Sequence, residues 1–161
     1  KVGGELSNVV FLGYSNKAHD GFLGNSVIGE WCNLGAATNC SNLKNNYSNV
    51  RLWDYFTHRM EETDQQFCGL IMGDHSKCGI NSMFNTGTTI GVCTCLFGTN
   101  LHPKFVPSFS FGNASHAYEH YILDKAMVTA DMMMQRRHKS LDAIEQNLLK
   151  KVYEIALRLE K

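Results

Sequence analysis

Residues 70–98 read LIMGDHSKCGINSMFNTGTTIGVCTCLFG, and they keep a six-residue beat. Met72, Cys78, Phe84, Ile90 and Leu96 fall six apart, and Gly73, Gly79 and Gly91 directly follow three of them. Two positions ahead of these residues stand Leu70, Ser76, Ser82, Thr88 and Thr94, which are mostly small. An earlier run repeats the rule with Phe22, Ile28, Leu34 and Cys40, followed by Gly29 and Gly35 and preceded by Ser26, Cys32 and Thr38. Self-similarity at a short fixed period signals a repeat architecture and overrides reading each segment alone. A helix repeats every 3.6 residues and would smear the six-residue beat around its surface. A half-buried strand would alternate every two residues. A hexad with one large apolar residue, one small residue and one glycine suits a chain coiling around a prism. Each hexad makes one face, and three complete a coil. Large residues point inward, small ones sit near corners, and stacked coils cover one another at strand spacing. Leu23, Asn85 and Phe97 break the pattern by standing in glycine slots, and the two runs are out of phase.

The chain has 161 residues, with 15 basic and 15 acidic side chains. The first 111 residues hold 7 basic and 8 acidic groups and the rest hold 8 and 7, so neither part has the basic excess of a nucleic-acid binder. No apolar run is long enough to span a membrane, and no signal peptide is present. The start, Lys1-Val-Gly-Gly-Glu, lacks a Met and enters turn-like sequence at once, which suggests the C-terminal part of a longer protein. Of the six cysteines, Cys40 and Cys78 fall on inward beats and Cys32 on a small-residue position, as expected of buried reduced thiols. Cys93-Thr-Cys95 lacks zinc-type spacing. A reduced, cytoplasmic protein without a metal is the expectation.

The beat divides the chain. Residues 1–114 are expected to form the β domain, with residues 44–68 inserted as a long polar and aromatic loop, a length that is often functional. Residues 99–114 carry Pro103 and Pro107 and read as an extended closing segment. From residue 115 to 161 the period turns helical. A first helix is expected through AYEHYILDKAMVTADMMMQRR, and a second from Ser140 as N-cap, with an apolar stripe of Leu141, Ile144, Leu148, Val152, Ile155 and Leu159. This tail would cap the last coil or pair with another subunit. Trp31, Tyr47 and Trp53 are the aromatics expected on the outside as interface residues.

The stretch 13–35, GYSNKAHDGFLGNSVIGEWCNLG, with Ala36-Ala37-Thr38 and Asn42 behind it, resembles a known family. It is similar to the left-handed β-helix acetyltransferase domain of the bifunctional N-acetylglucosamine-1-phosphate uridyltransferase and glucosamine-1-phosphate acetyltransferase enzymes. Those show a serine, lysine and histidine cluster, an aromatic–Leu–Gly, an Ile–Gly, and Asn–Ile–Gly–Ala–Gly–Thr. The resemblance covers roughly residues 8–98, and the tail resembles the helical extension of sugar nucleotidyltransferases related to that enzyme. It implies a mainly β fold, a left-handed parallel β-helix of hexapeptide repeats with a C-terminal α-helical extension. It further implies a homotrimer with active sites between prisms, acetyl-CoA as acyl donor and an amino-sugar phosphate as acceptor.

Residue by residue, His19 falls on the family's catalytic histidine, and a neutral imidazole suits removal of a proton from an attacking amine. Asn33 and Asn42 match two asparagines that contact the amino sugar, and an amide offers both donor and acceptor. Ala36 matches a position whose backbone meets the acetyl-CoA arm. The plainer alternatives are a surface histidine, turn asparagines and corner filler. Some family residues are missing. Phe22 stands for a tyrosine, Ile80 for a serine that helps hold the cofactor, and the phosphate-binding lysine falls near the uncharged Ser7. Lys17, Lys44 or Arg51 would then hold the phosphate, the alternative for each being a solvated charge. His116 and His120, four apart on the expected helix, are too few for a metal site. No Gly-rich nucleotide loop occurs, so nucleotidyl transfer does not reside in these residues. Two functions compete: an acetyl-CoA-dependent N-acyltransferase, and a non-catalytic trimerisation module serving a sugar-1-phosphate nucleotidyltransferase.

Overall fold

A computed structural model describes residues 1–160. It is mainly β: stacked parallel strands form a left-handed solenoid of about six turns, and two helices follow near the C-terminus. Its cross-section is built from three ladders of inward side chains. Face I stacks Phe11, Ile28, Met72, Ile90 and Val106 in register. Face II stacks Lys17, Leu34, Cys78 and Leu96. Face III stacks Leu6, Leu23, Cys40, Phe84 and His102. The interior beats from Ile28 to Leu96 are buried together in one apolar cluster. Ser26, Cys32, Thr38, Ser76, Ser82, Thr88 and Thr94 are buried beside them, so both slots of the hexad behave as their sizes dictate.

One beat is displaced. Phe22 lies outward and half-buried, and Leu23 takes the inward position with no exposed surface. The reason is the next corner. From Leu23 to Ile28 the chain advances five residues rather than six, turning through Gly24 and Asn25, whose φ is 47°. The slot rule therefore slips by one in this coil. Residues 105–113 do not merely close the prism; they add Phe105–Val106 and Ser110–Asn113 to its sheets in parallel.

Each corner must reverse the backbone tightly, and several reversals use left-handed angles on residues other than glycine. At the corner between faces I and II, Tyr14, Trp31, His75, Cys93 and Phe109 all hold φ between 55° and 60°. Their side chains stack along the prism edge: Tyr14 on Trp31 at 4.1 Å and Trp31 on His75 at 6.4 Å between ring centres. The helices α1 (Leu123–Gln135) and α2 (Ala143–Leu159) pack on this edge, burying Trp31, Cys93 and Phe109 against Ala126, Ala130, Met134, Leu141, Leu149 and Ala156. Trp31 is thus an internal anchor for the tail, not an exposed interface residue. Trp53 is also occupied within the chain, stacked on Phe105 at 3.9 Å, whereas Tyr47 is exposed.

The tail departs from its expected outline in three ways. Residues 119–120 form a short antiparallel strand on Ser110–Asn113, covering the edge of the last coil, so α1 begins only at Leu123. The N-cap of α2 is Asp142, whose carboxylate accepts from the amides of Ile144 and Glu145 while Glu145 reaches back, a complete capping box. The face that α2 buries carries Leu149, Val152, Tyr153 and Ala156. Of the expected stripe, Leu141 and Val152 pack in this cluster, while the other four face outward, leaving Ile144 78% and Leu148 62% exposed. The small Ala156 and the ring of Tyr153 fit the aromatic edge, and Tyr153 meets Phe109 edge-on at 4.9 Å.

His75 sits under α2 with a buried Nδ1 that has no partner among the described residues. Burial is the main cause that lowers its pKa to about 4, and Lys77 adds to it. A histidine held neutral in the fold contributes stability above its unfolded value of 6.5 and loses it as pH falls toward 4. Thermal denaturation between pH 7 and pH 4 should therefore show a loss of roughly 2–3 kcal/mol from this group. His75→Asn, a residue that tolerates left-handed angles, should flatten that share of the slope; an unchanged slope would contradict it.

Candidate active site

The corner between faces II and III carries most of the residues suspected of chemistry. In the first full coil it is formed by Ala18, His19, Asp20 and Gly21, the last with φ of 108°. A side chain at Gly21 would collide with the Thr38 carbonyl at 2.1 Å, so the turn requires glycine. This close approach pushes His19 and Asp20 out to the exposed edge. One coil on, the same corner is Gly35, Ala36 and Ala37, followed above by Gly79. The coil next to His19 thus carries small residues at this corner, its Ala36 carbonyl accepting from the Asn81 amide, and the coil beyond places exposed Ile80 there. Asp20 does not orient the imidazole; its Oδ1 accepts from the Ala37 amide at 3.3 Å, tying the two coils together.

The asparagines lie on the two faces flanking this edge. Asn33 is on the outside of face II, where its Oδ1 accepts from Asn16 Nδ2 at 2.7 Å. Asn42 lies beyond Cys40 at the far end of face III, and its Nδ2 donates to Asn25 Oδ1 at 2.8 Å. Each amide makes a rung of a coil-to-coil ladder, and its other polar atom is left without a protein partner among the described residues. Phe22 lies outward on face III between His19 and Asn42, close to the Asn42 amide across Gly24. His19, Phe22 and Asn42 therefore share one outer surface, while Asn33 looks out from the adjoining face. The edge between these faces is convex. A ligand touching His19 and both asparagines would be open to water on this chain alone.

The two lysines have different fates. Lys17 falls on an inward position of face II and is fully buried. Its Nζ donates to the carbonyls of His19 at 2.9 Å, Asp20 at 2.8 Å and Gly3 at 3.3 Å. Burial lowers its pKa, partly opposed by Asp20. The ammonium braces the turn that presents His19 and is not offered to a ligand. Lys17 stands six before Leu23, so its inward phase emerges only once the beat moves from Phe22 to Leu23. Lys44 is half-buried at the root of the insertion, bonded to Ser48 Oγ at 3.2 Å and to the Asn49 carbonyl. His116 and His120 do not share a helix face; His116 lies in a turn and His120 on the short strand.

The insertion itself is a hairpin, Arg51–Asp54 paired with Arg59–Glu62. It lies over the corner between faces III and I, with Trp53 and Tyr55 against Phe105. It leaves the His19 edge uncovered. The six cysteines are free, and Cys32, Cys40 and Cys78 lie in the interior. No helix among the described residues is long and apolar enough to cross a membrane.

The left-handed β-helix of this solenoid agrees with the sequence relationship of the chain. That relationship is to the bifunctional protein GlmU of Methanocaldococcus jannaschii, 34% identical over 96 residues. The matched stretch is 60% of this chain and 22% of that protein, so the chain spans about a fifth of its curated relative. No protein-family model matches the chain.

Lys17→Ala removes the brace of the His19 turn and leaves three part-buried carbonyls without their lysine donor. It should cost about 2–4 kcal/mol in urea denaturation. Lys44→Ala, at a partly exposed site, should cost under about 1 kcal/mol. Equal small losses would refute the brace.

Proposed function

We propose that this chain is an acetyl-CoA-dependent N-acyltransferase domain acting on an amino-sugar phosphate resembling glucosamine 1-phosphate, within a larger sugar-nucleotide biosynthesis protein. The observation that carries this reading is the His19 edge: an exposed imidazole on a glycine-enforced turn, at the corner between the two faces that carry Asn33 and, at its far end, Asn42, each with a spare amide atom. In the reaction, the acceptor amine attacks the thioester carbonyl and His19 takes the proton the amine loses. The thiolate of coenzyme A leaves and is protonated, and an amide is formed. Asn33 and Asn42 position the acceptor, and the backbone at Ala36 lies where the thioester arm passes.

The convex edge supports a homotrimer. Flat prism faces packed side by side would turn each edge into one wall of a groove, the neighbour supplying the other and excluding water. Outward Val10 and Val27, in register on face I and both exposed, offer apolar surface for such contact. The bifunctional name of the GlmU relative supports a second activity elsewhere in a longer chain. The absence of a tyrosine at Phe22 supports a second reading, a non-catalytic trimerisation module of a sugar-1-phosphate nucleotidyltransferase. The uncovered His19 edge favours the catalytic one, because the hairpin lies on another corner.

The deciding experiment incubates the protein with acetyl-CoA and glucosamine 1-phosphate and reads acetylated product by mass spectrometry. Thiol dyes are unsuitable with six cysteines. His19→Ala should lower the rate by about 10²–10⁴-fold with the fold intact. No product from this acceptor or a panel of amino-sugar phosphates would select the trimerisation module.

A further inference from the structure

The corner between faces III and I gathers positive charge with no negative partner. Lys44 Nζ is held at the Asn49 carbonyl, and the chain continues through Val50 into Arg51. This strand start lies directly on Gly87, where an added side chain would meet the Arg51 carbonyl and Val50 Cγ1, each at 2.5 Å. Thr86, the preceding residue, accepts a hydrogen bond from Lys104 Nζ at 3.4 Å. Two cations of the insertion and one of the last coil thus lie around the Thr86–Gly87 corner, near enough for Lys44 and Arg51 to act on Lys104. Glu62 opposes Arg51 across the hairpin, yet the guanidinium turns to the Met60 carbonyl instead. Among the described residues the ion pairs are Arg59–Glu61 and Lys151–Glu154, which leaves all three of these cations unpaired.

Bringing three like charges together costs free energy, and half-burying one of them costs more. Lys104 is half-buried, and its pKa is lowered first by that burial and then by Lys44 and Arg51. None of the three fills an inward slot of the hexad, so the solenoid does not require them. Their present bonds leave donors free: a lysine ammonium has three and a guanidinium five. A guanidinium fork flanked by two ammonium groups suits a dianion with several acceptor oxygens.

We propose that Lys44, Arg51 and Lys104 form a phosphate-binding site at the root of the insertion, taking a phosphate or diphosphate group of a small-molecule ligand. It lies on a different corner from His19 and does not depend on acyl transfer. An amino-sugar phosphate and the phosphates of coenzyme A are both possible sources.

The test is binding without turnover. Sodium pyrophosphate, inorganic phosphate, glucosamine 1-phosphate and coenzyme A are titrated by calorimetry and thermal shift, against sodium chloride at matched ionic strength. At least one should bind the wild type. Lys104→Met and Arg51→Met should each weaken that binding about tenfold or more, and Arg51→Lys should fall between. Without ligand, Lys104→Met should melt higher than wild type, because it relieves the repulsion. The tightest of the four identifies the source of the phosphate. The site is refuted if none binds, or if the two methionine variants bind as tightly as the wild type.

Discussion

Everything in this molecule depends on the register between coils. Each inward residue rests on its counterpart one coil away, at the spacing of hydrogen-bonded strands. Met72 lies between Ile28 and Ile90, and Cys78 between Leu34 and Leu96. A coil cannot bury its own interior; it is covered only by its neighbours. This makes the corners the exacting positions. The interior accepts Leu, Ile, Met, Cys or Phe at a beat, but a corner must turn within a few residues and keep the next face in register. Non-glycine residues with φ near 57° recur there because the coil demands the angle. The stacking gained by filling the coil outweighs local strain of roughly 1–2 kcal/mol per residue.

The three corners have separate tasks, and the division follows from what each side chain meets. The edge of Tyr14, Trp31, His75, Cys93 and Phe109 is apolar and aromatic, so it buries the helices. The edge of His19 and Ala36 carries small residues in the coil beside His19, and its imidazole is exposed. The third edge admits the insertion, because a hairpin can leave a coil between Cys40 and Leu70 and return to the same ladder without disturbing it. A chain coiled on a prism accepts insertions at corners for the same reason that other folds accept them in loops: no ladder hydrogen bond is broken.

The solenoid and its interior were legible because one physical rule repeats nine times. The corners were less so. Hexad reading assigns a small residue and a glycine near each turn but does not reveal that Trp31 and His75 occupy equivalent positions in adjacent coils. That follows from counting three residues back from Leu34 and Cys78, and once done it places the aromatic ladder beneath the helices. The tail misled for a different reason. Leu141, Ile144, Leu148, Val152, Ile155 and Leu159 make a convincing stripe, but only Leu141 and Val152 pack inward; the edge the others would meet is already filled by aromatic rings, and smaller Ala156 with half-polar Tyr153 fits better. Lys104 carried no signal beyond its charge, since its neighbours Thr86 and Arg51 are distant in sequence.

Polar residues on inward positions mark the ends of the prism. Lys17 lies in the first full coil, where the turn above Gly3 and Gly4 leaves carbonyls without strand partners, and its ammonium satisfies three of them. His102 lies in the last coil of face III, stacked on Phe84 at 5.1 Å and bonded through Nδ1 to Tyr118 at 2.6 Å. Between them the interior beats of faces II and III are Leu23, Leu34, Cys40, Cys78, Phe84 and Leu96. A terminal coil has a neighbour on one side only, so its inner space borders backbone groups that no further strand will pair. An apolar residue there would leave those groups buried and unbonded, at a cost of about 1–3 kcal/mol each. Lys17 reaches them while its stem continues the apolar stack, whereas His102 bonds the Tyr118 hydroxyl and keeps its Nε2 buried without a partner among the described residues. The interruptions of the beat are therefore where the repeat has to stop, and the one at Lys17 also fixes the turn on which His19 stands.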